Sequence, residues 1–246
     1  MARIFFLQAT CLVVLCSHAA WSAAADAWAG PYAGLFAGYG RGDARATEPY
    51  DGSFGYFYNF TGDRYSFDSG GAIAGATAGY NWQRGTLVTG VEGELGYSGL
   101  KGSAVDPNGT AAGTPDTTTT FKSDAYGALH LRLGVVAGGA LLYLKGGVAA
   151  LKARASTIDP CIAPPASCGT STLTMHGSRT MVGWSLGGGV EWALGPRWTA
   201  KLDYTYLDFG SIRTSGTVGP AASSEFYTQS IDVTEHAVRL GVNYRW

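Results

Sequence analysis

The sequence predicts an all-β fold, an eight-stranded antiparallel β-barrel that crosses a membrane with its strands. Three observations predict it. After residue 30, apolar residues alternate with small or polar ones in stretches long enough to cross a bilayer, which takes about 9 to 11 tilted residues. The connections between these stretches are alternately short and long. Glycine is over-used, with 37 residues against a usual share of about 7%, and glycine suits strands that bend into a closed barrel.

The alternation marks eight strands, and the last shows it most clearly. Val238, Leu240 and Val242 point to one side of that strand, while Arg239 and Asn243 point to the other. One face therefore meets lipid and the other a polar interior. The predicted strands span residues 30–42, 71–84, 86–99, 122–137, 140–156, 178–194, 197–210 and 233–246.

The connections predict how the barrel is oriented. Tight, glycine-containing turns are expected at Arg84-Gly85, Gly138-Gly139 and Gly195-Pro196. Short turns of such barrels face the periplasm and long loops face outside, and an even number of strands puts both termini on one side. We therefore expect both termini to be periplasmic. The four long loops are predicted near 43–69, 100–121, 157–177 and 211–232.

The first 25 residues have the pattern of a secretory signal peptide, with Arg3 before an apolar run and alanines up to Ala25. The run is shorter than the roughly 20 residues that a transmembrane helix needs. We expect cleavage after Ala25, with Ala27 as the alternative site. A lipid anchor on Cys16 is disfavoured because a bulky leucine precedes it. The predicted domains are a signal peptide over 1–25 and a barrel over 26–246.

The charge balance argues against a nucleic-acid partner. Loss of the signal peptide removes Arg3 and no acid, so the mature chain has 16 basic and 18 acidic residues. No basic excess is left to attract a phosphate backbone. We expect no nucleic acid and no cofactor.

Tryptophans give an independent indication of the membrane. Tryptophan and tyrosine prefer the interface between membrane and water. A soluble core would not collect tryptophans at the same end of successive strands. The predicted girdle at the periplasmic rim consists of Trp28, Trp82, Trp192, Trp198 and Trp246.

Charged residues fall on the face opposite to the lipid-facing one. The interior of an eight-stranded barrel is just wide enough to be filled by side chains, and buried charges are tolerated when they are paired. We expect an interlocking charge network that holds the barrel shut. The predicted interior residues are Glu92, Glu94, His130, Arg132, Lys145, Glu191, Lys201, Asp203, Arg239 and Arg245.

Two terminal motifs resemble those of a known family. Residues 28–34 follow the pattern W-x-G-x-Y-x-G, and residues 236–246 follow H-x-V-R-x-G-x-N-Y-x-aromatic. Together they resemble the small outer-membrane β-barrel family of Gram-negative bacteria, which includes opacity-like surface antigens and porin-like proteins. The resemblance implies that the barrel-assembly machinery recognises the last strand, although this chain ends in Trp246 where the family usually ends in phenylalanine.

The first loop is unusually aromatic. Such a patch could contact lipopolysaccharide sugar or an extracellular partner, whose identity the sequence does not indicate. A loop hairpin packed on itself explains the same pattern. The residues of this possible contact patch are Phe54, Tyr56, Phe57, Tyr58 and Phe60.

The third loop carries Cys161 and Cys168, the cysteines that remain after loss of the signal peptide. In an exported protein a disulfide is the default for such a pair. A metal site is not expected, because His130, His176 and His236 are spread over the chain without ligand spacing.

These observations favour a structural, envelope-stabilising barrel with a surface-exposed role as antigen or adhesin, set in outer-membrane lipid and lipopolysaccharide. A narrow porin for small solutes or ions is the alternative. A lipid hydrolase has support only from His176 and Ser178, so no enzyme activity is expected. A soluble lipocalin-like barrel would need an apolar interior, whereas here the charges fall inside.

Overall fold

A computed structural model of the chain describes residues 27–47, 64–106, 110–111, 114–115, 117–160, 172–219 and 226–246. The predicted signal peptide, the aromatic patch of the first loop and the cysteine pair lie outside these residues. No helix with the length and hydropathy to span a bilayer occurs among them. The strands are β1 (Gly30–Thr47), β2 (Arg64–Arg84), β3 (Leu87–Ser98), β4 (Lys101–Val105), β5 (Thr110–Ala111), β6 (Thr114–Pro115), β7 (Thr118–Ala137), β8 (Ala140–Pro160), β9 (Thr172–Ala193), β10 (Trp198–Gly219) and β11 (Phe226–Arg245).

The strands close into an antiparallel ring. Each long strand pairs with its neighbours along the chain, and β1 pairs with both β2 and β11. Strand β4 continues the line of β3, because it pairs with the same two neighbours, β2 and β7. Strands β5 and β6 form a separate hairpin. The ring therefore has eight strand positions, as predicted.

The two ends of the barrel differ. At one end, here called the turn end, β1 begins, β11 ends and tight turns join β2 to β3, β7 to β8 and β9 to β10. Gly85 and Gly138 occupy two of these turns with φ of 60°, which side chains with a Cβ rarely adopt. The opposite end, here called the loop end, carries the long connections.

The predicted strand boundaries are correct to about one residue at the turn end and too short at the loop end. Strand β2 begins at Arg64 rather than at residue 71, and β10 ends at Gly219 rather than at residue 210. The prediction followed apolar residues on the lipid-facing side of each strand. That signal stops before the strands do.

Strand β11 shows why the signal stops. In its turn-end half, Leu240 points outward with 65% exposure, and Arg239 points inward. In its loop-end half, Ile231 points inward and is fully buried, while Asp232 points outward. Outward apolar residues suit lipid and outward polar residues suit water. The loop-end half of the barrel therefore has the surface of a segment that projects beyond the membrane.

The barrel interior, or lumen, contains two apolar clusters separated by polar residues. The smaller lies at the turn end and consists of Trp28, Val88, Leu141 and Tyr143. The larger fills the middle and the loop-end half. Its members are Phe36, Ala44, Ala46, Tyr65, Phe67, Ile73, Leu100, Phe121, Tyr126, Ala149, Leu151, Ala153, Ala155, Met181, Leu207, Phe209, Ile212, Ile231, Val233 and Ala237.

Glycines allow neighbouring strands to pack closely, and substitution of one glycine tests this packing. A Cβ on Gly147 of β8 would lie 2.0 Å from the carbonyl oxygen of Leu129. We expect Gly147→Ala to lower the free energy of unfolding by about 1–3 kcal/mol, the usual cost of overpacking. Urea titration of the refolded protein in detergent, followed by tryptophan fluorescence, measures it.

Gly139→Ala is the matched control, because a Cβ on this turn residue would meet no atom within 4 Å. Equal urea midpoints for the two variants would contradict the packing described for β7 and β8.

Candidate functional site

Alternation along the strands brings the predicted charged residues together. Glu92 and Glu94 point into the lumen because Gly93, between them, takes the opposite face of β3. The same spacing directs His130 and Arg132 of β7 inward. Nine of the ten predicted interior residues meet in the turn-end half of the lumen, each at most 4% exposed: Glu92, Glu94, His130, Arg132, Lys145, Glu191, Lys201, Asp203 and Arg239.

Glu92 lies at the centre of this network and contacts three cations. Its Oε2 accepts hydrogen bonds from Arg132 Nη1 and Lys201 Nζ, both at 3.3 Å. Its Oε1 lies 3.5 Å from Lys145 Nζ. The hydroxyl of Tyr32 also donates to Oε2, at 2.9 Å. Strands β1, β3, β7, β8 and β10 are thereby joined through one carboxylate.

Arg239 links the carboxylates of Glu94 and Asp203. Its Nη1 donates to Glu94 Oε2 at 2.7 Å, and its Nη2 donates to Asp203 Oδ1 at 2.8 Å. Lys145 bridges the same two acids, at 2.8 Å from Glu94 Oε1 and 3.5 Å from Asp203 Oδ1. Charge-assisted hydrogen bonds of this kind are stronger than neutral ones.

Glu191 forms the part of the network nearest the turn end. Arg132 Nη2 donates to its Oε2 at 2.9 Å, and Asn243 Nδ2 donates to its Oε1 at 2.8 Å. The Thr199 hydroxyl donates to the same Oε1. The Arg132 guanidinium also lies over the Tyr143 ring, 4.1 Å from its centroid. A cation in this position gains from the negative face of the ring.

The charges balance without the histidine. Four carboxylates face four cationic side chains, and His130 is held by a neutral partner, with its Nε2 at 2.9 Å from Ser185 Oγ. Its Nδ1 lies 3.7 Å from Glu94 Oε1. Removal of one partner from a buried ion pair is strongly destabilising, because the other charge is left uncompensated away from water. The network therefore holds the strands together as long as all of its members are present.

The tenth predicted interior residue, Arg245, does not join the network. Its guanidinium donates to the backbone carbonyls of Ala27 and Pro196 and lies 4.7 Å from the ring centroid of Trp28. Trp28 itself is only 3% exposed and packs in the lumen with Val88. The prediction that Trp28 belongs to a lipid-facing girdle is wrong, because this ring closes the turn end of the barrel from inside.

The other predicted girdle residues lie on the outer surface at the turn end. Trp82 and Trp198 are each 52% exposed, and Trp198 packs edge-on against Tyr244. The rings of Tyr244 and Trp246 make a similar contact. Trp192 is also exposed there. Outward aromatic rings at one level are the arrangement expected at a membrane interface.

A buried acid that the sequence analysis missed lies in the larger apolar cluster. Glu235 is 1% exposed, and its Oε2 has no hydrogen-bond partner among the described residues. Its position could have been inferred, since it lies four residues before Arg239 and shares its inward face. The sequence pattern did not mark it, because it lies only two residues after the predicted start of the last strand.

The loop-end half of the lumen contains a closed circuit of four hydrogen bonds. Tyr65 contacts Thr119 at 2.6 Å, Thr119 contacts Thr157 at 2.7 Å, and the Thr157 hydroxyl donates to Gln229 Oε1 at 2.8 Å. Gln229 Nε2 donates back to the Tyr65 hydroxyl at 2.9 Å. The four residues come from β2, β7, β8 and β11, so the circuit crosses the lumen. All four lie outside the predicted strands or at their margins.

One group of residues has the composition of a metal site. Ligand atoms of Glu92, Glu94 and His130 lie within 4.8 Å of one another. The carboxylate oxygens already accept hydrogen bonds from Lys145, Arg132, Lys201 and Arg239. The donor set therefore fits an ion-pair network rather than a cation site.

The pair that supported a hydrolase, His176 and Ser178, does not face the lumen. Both side chains are exposed on the outward face of β9. An imidazole that activates a serine needs an orienting acid. Asp124, the outward acid on β7, is instead paired with Arg154 at 2.9 Å.

Comparison with known proteins identifies a family. A family model for the outer membrane protein beta-barrel domain matches residues 9–245. The 31 kDa outer-membrane immunogenic protein of Brucella melitensis is 29% identical over 232 residues, which cover 89% of this chain and 84% of the relative. The 22 kDa outer membrane protein of Rhizobium leguminosarum bv. viciae is 28% identical over 225 residues, which cover 90% and 80%.

Solved structures also resemble this chain. OprG from Pseudomonas aeruginosa matches with 14% sequence identity and a TM-score of 0.48, over 89% of this chain and 97% of that protein. Ail from Yersinia pestis matches with 14% identity and a TM-score of 0.39, over 88% and 99%. At such scores these likenesses carry no argument about function.

The charge network predicts a large effect for a single neutral substitution. Glu92→Gln leaves three buried cations short of a carboxylate, and we expect the free energy of unfolding to fall by about 3–5 kcal/mol. Asp68→Asn, which breaks the exposed pair with Arg41 at 2.6 Å, should cost about 0–1 kcal/mol. Urea titration in detergent measures both, and similar losses for the two variants would contradict a stabilising role for the network.

Proposed function

Because the chain belongs to the outer membrane protein β-barrel domain family, we propose that it is a closed outer-membrane barrel that stabilises the envelope and presents its long loops outside the cell. One observation carries the proposal: the described part of the lumen is filled with side chains from one end to the other. The Trp28 cluster, the charge network and the larger apolar cluster follow one another along its axis, and the hydrogen-bonded circuit shares Tyr65 with that cluster at the loop end.

A closed lumen favours a structural role over transport. A porin of this architecture needs a continuous polar, water-filled path. Here the charges contact one another instead of water, and apolar residues such as Phe121 and Leu151 fill the space beyond them. Eight strands enclose an interior that side chains alone can fill. The narrow porin is therefore the second candidate.

The outer surface supports the proposed orientation, in which the turn end and both termini face the periplasm. Exposed tryptophans ring the turn end, and polar residues cover the outside of the loop end. Short turns face the periplasm in barrels of this kind. The last strand, β11, is then the segment offered to the barrel-assembly machinery, and the loop end projects into the lipopolysaccharide layer.

The names of the relatives support exposure of the loops. Proteins named outer-membrane immunogenic proteins occur in Brucella melitensis and Brucella abortus. We extend that surface-exposed, antigen-type role to this chain. The partner that contacts the loops is unknown, and the proposal includes no catalytic activity.

Conductance separates the two candidates. We expect the refolded protein to be silent in a planar bilayer, because the charge network and the apolar cluster leave no water path. Reproducible openings that change in Arg132→Gln, but not in the outward-facing Arg45→Gln, would make the lumen a selectivity lining and the protein a porin. A heat-dependent shift on a gel shows that each preparation is folded.

Labelling of intact cells tests the orientation. Once any disulfide between them is reduced, a membrane-impermeant thiol reagent should reach Cys161 and Cys168, in the predicted third loop, without permeabilisation. Labelling only after reduction would indicate the predicted disulfide. Gly139→Cys, in a background with both cysteines replaced by serine, places a thiol at the turn end and should react only in permeabilised cells. The reverse pattern would mean that the barrel is inverted.

A further inference from the structure

Three cations face one another across adjacent strands on the outer surface of the loop end. Lys101 of β4 lies directly opposite Lys122 of β7, and Lys122 lies directly opposite Arg154 of β8. All three are exposed and point away from the lumen. Neighbouring strands are only about 4.8 Å apart, and like charges at opposed positions destabilise a sheet. This row of cations carries a repulsion that a bound anion would relieve.

The local charge is not balanced by acids. Lys152 lies two residues before Arg154 on the same face of β8 and adds a fourth cation. Among the described residues of β3, β4, β7, β8 and β9, Asp124 is the acid that points outward, and it pairs with Arg154. Four cations therefore face one carboxylate.

Elsewhere at the loop end, on β1, β2 and β11, cations have acidic neighbours. Arg41 of β1 is paired with Asp68 of β2 at 2.6 Å. Arg45 lies opposite Asp232 of β11. The outward face of β1, β2 and β11 therefore carries acids among its cations, unlike the row on β4, β7 and β8.

The cation row borders a cleft with hydrogen-bond donors. The cleft has a volume of about 400 Å³ and opens outward between β7, β8 and β9. Thr120, Ser156 and His176 lie in one row across these strands, directly beside the cations. Hydroxyl and imidazole donors with lysine and arginine form the donor set that binds phosphate. Its lining side chains are Thr120, Lys122, Arg154, Ser156, His176 and Ser178.

An apolar groove lies on the turn-end side of the cations and extends over β7, β8 and β9 as well as β1, β2 and β3. Its volume is about 700 Å³, and Leu95, Leu129 and Val182 line it with outward, exposed side chains. Ala150 of the groove and Lys152 are two residues apart on β8. An anionic group held by the cations would therefore have hydrocarbon surface immediately beneath it. A phosphorylated lipid has this combination of head and tail, and free phosphate does not.

We propose that Lys101, Lys122 and Arg154, together with the cleft beside them, bind the phosphate of an outer-leaflet glycolipid whose acyl chains lie in the groove. The site rests on the proposed orientation, because only a loop end that faces outside meets the phosphates of lipopolysaccharide. It fixes one side of the barrel to the lipid layer and leaves the loops free for other contacts.

Native mass spectrometry of the full mature protein in detergent tests the site, with EDTA present to remove bridging metal ions. The probes are diphosphoryl lipid A, monophosphoryl lipid A and inorganic phosphate. The double variant Lys122→Gln/Arg154→Gln removes two charges from the row. Arg45→Gln/Arg213→Gln removes two exposed charges from the loop end outside the row and is the matched control. The heat-dependent gel shift must be the same for both.

We expect the row variant to weaken binding of diphosphoryl lipid A by about tenfold or more, and the control to change it less than about twofold. Monophosphoryl lipid A should bind the unmodified protein more weakly than the diphosphoryl form. Equal affinities of the two variants for diphosphoryl lipid A would overturn the proposal. Inorganic phosphate that competes as well as the lipid would make this a free-anion site. That result would overturn the lipid assignment.

This readout is independent of the tests of the proposed function. Binding in detergent requires neither a closed lumen nor a particular orientation in the cell. A conducting or inverted barrel would be detected by the bilayer and labelling experiments, whereas a wrong lipid site would be detected only here.

Discussion

The cross-section of this barrel depends on the pairing of charges inside a ring of eight strands. Such a ring leaves its interior just enough room for side chains, so a charge that points inward meets another side chain instead of water. Arg132 of β7 contacts Glu92 of β3 and Glu191 of β9, and Arg239 of β11 contacts Glu94 and Asp203. The contacts of Arg132 with Glu191 and of Arg239 with Glu94 join strands that are not neighbours in the sheet. The network therefore fixes the cross-section of the barrel, which backbone hydrogen bonds between adjacent strands alone would leave free to deform.

The inversion of polarity along each strand explains where the sequence was informative. In the turn-end half, outward residues such as Leu131 are apolar and inward ones such as Arg132 are charged, which makes the transmembrane segments easy to detect. In the loop-end half, Ile231 faces inward and Asp232 outward, as in a soluble barrel. A search for lipid-facing residues therefore recovers the number of strands and the tight turns but ends each strand too early. The circuit of Tyr65, Thr119, Thr157 and Gln229 was missed for this reason.

The sequence predicts which side chains face the lumen, but it does not predict which of them contact one another. Alternation alone places Glu92 and Lys201 on the inward face, whereas their contact at 3.3 Å depends on the stagger of the closed ring, which brings residues 109 positions apart together. Trp28 was misplaced for a related reason. It precedes β1, where no alternation exists to assign a face, and its burial depends on Arg245 at the opposite end of the chain. Alternation along a single strand does not predict contacts between distant parts of the chain.

In the closed barrel that we propose, recognition of other molecules falls to the outer surface. The interior charges are consumed by their own pairing, so the groups left to recognise something else are those that the sheet turns outward. Among these, exposed pairs such as Arg41 with Asp68 satisfy each other, whereas the row of Lys101, Lys122 and Arg154 opposes like charges across three strands. A sheet tolerates that arrangement at a cost unless an anion is present. In the orientation that we propose, the paired charges of the network lie inside the barrel, and the cation row lies on the outer surface, where it would meet anionic lipid headgroups.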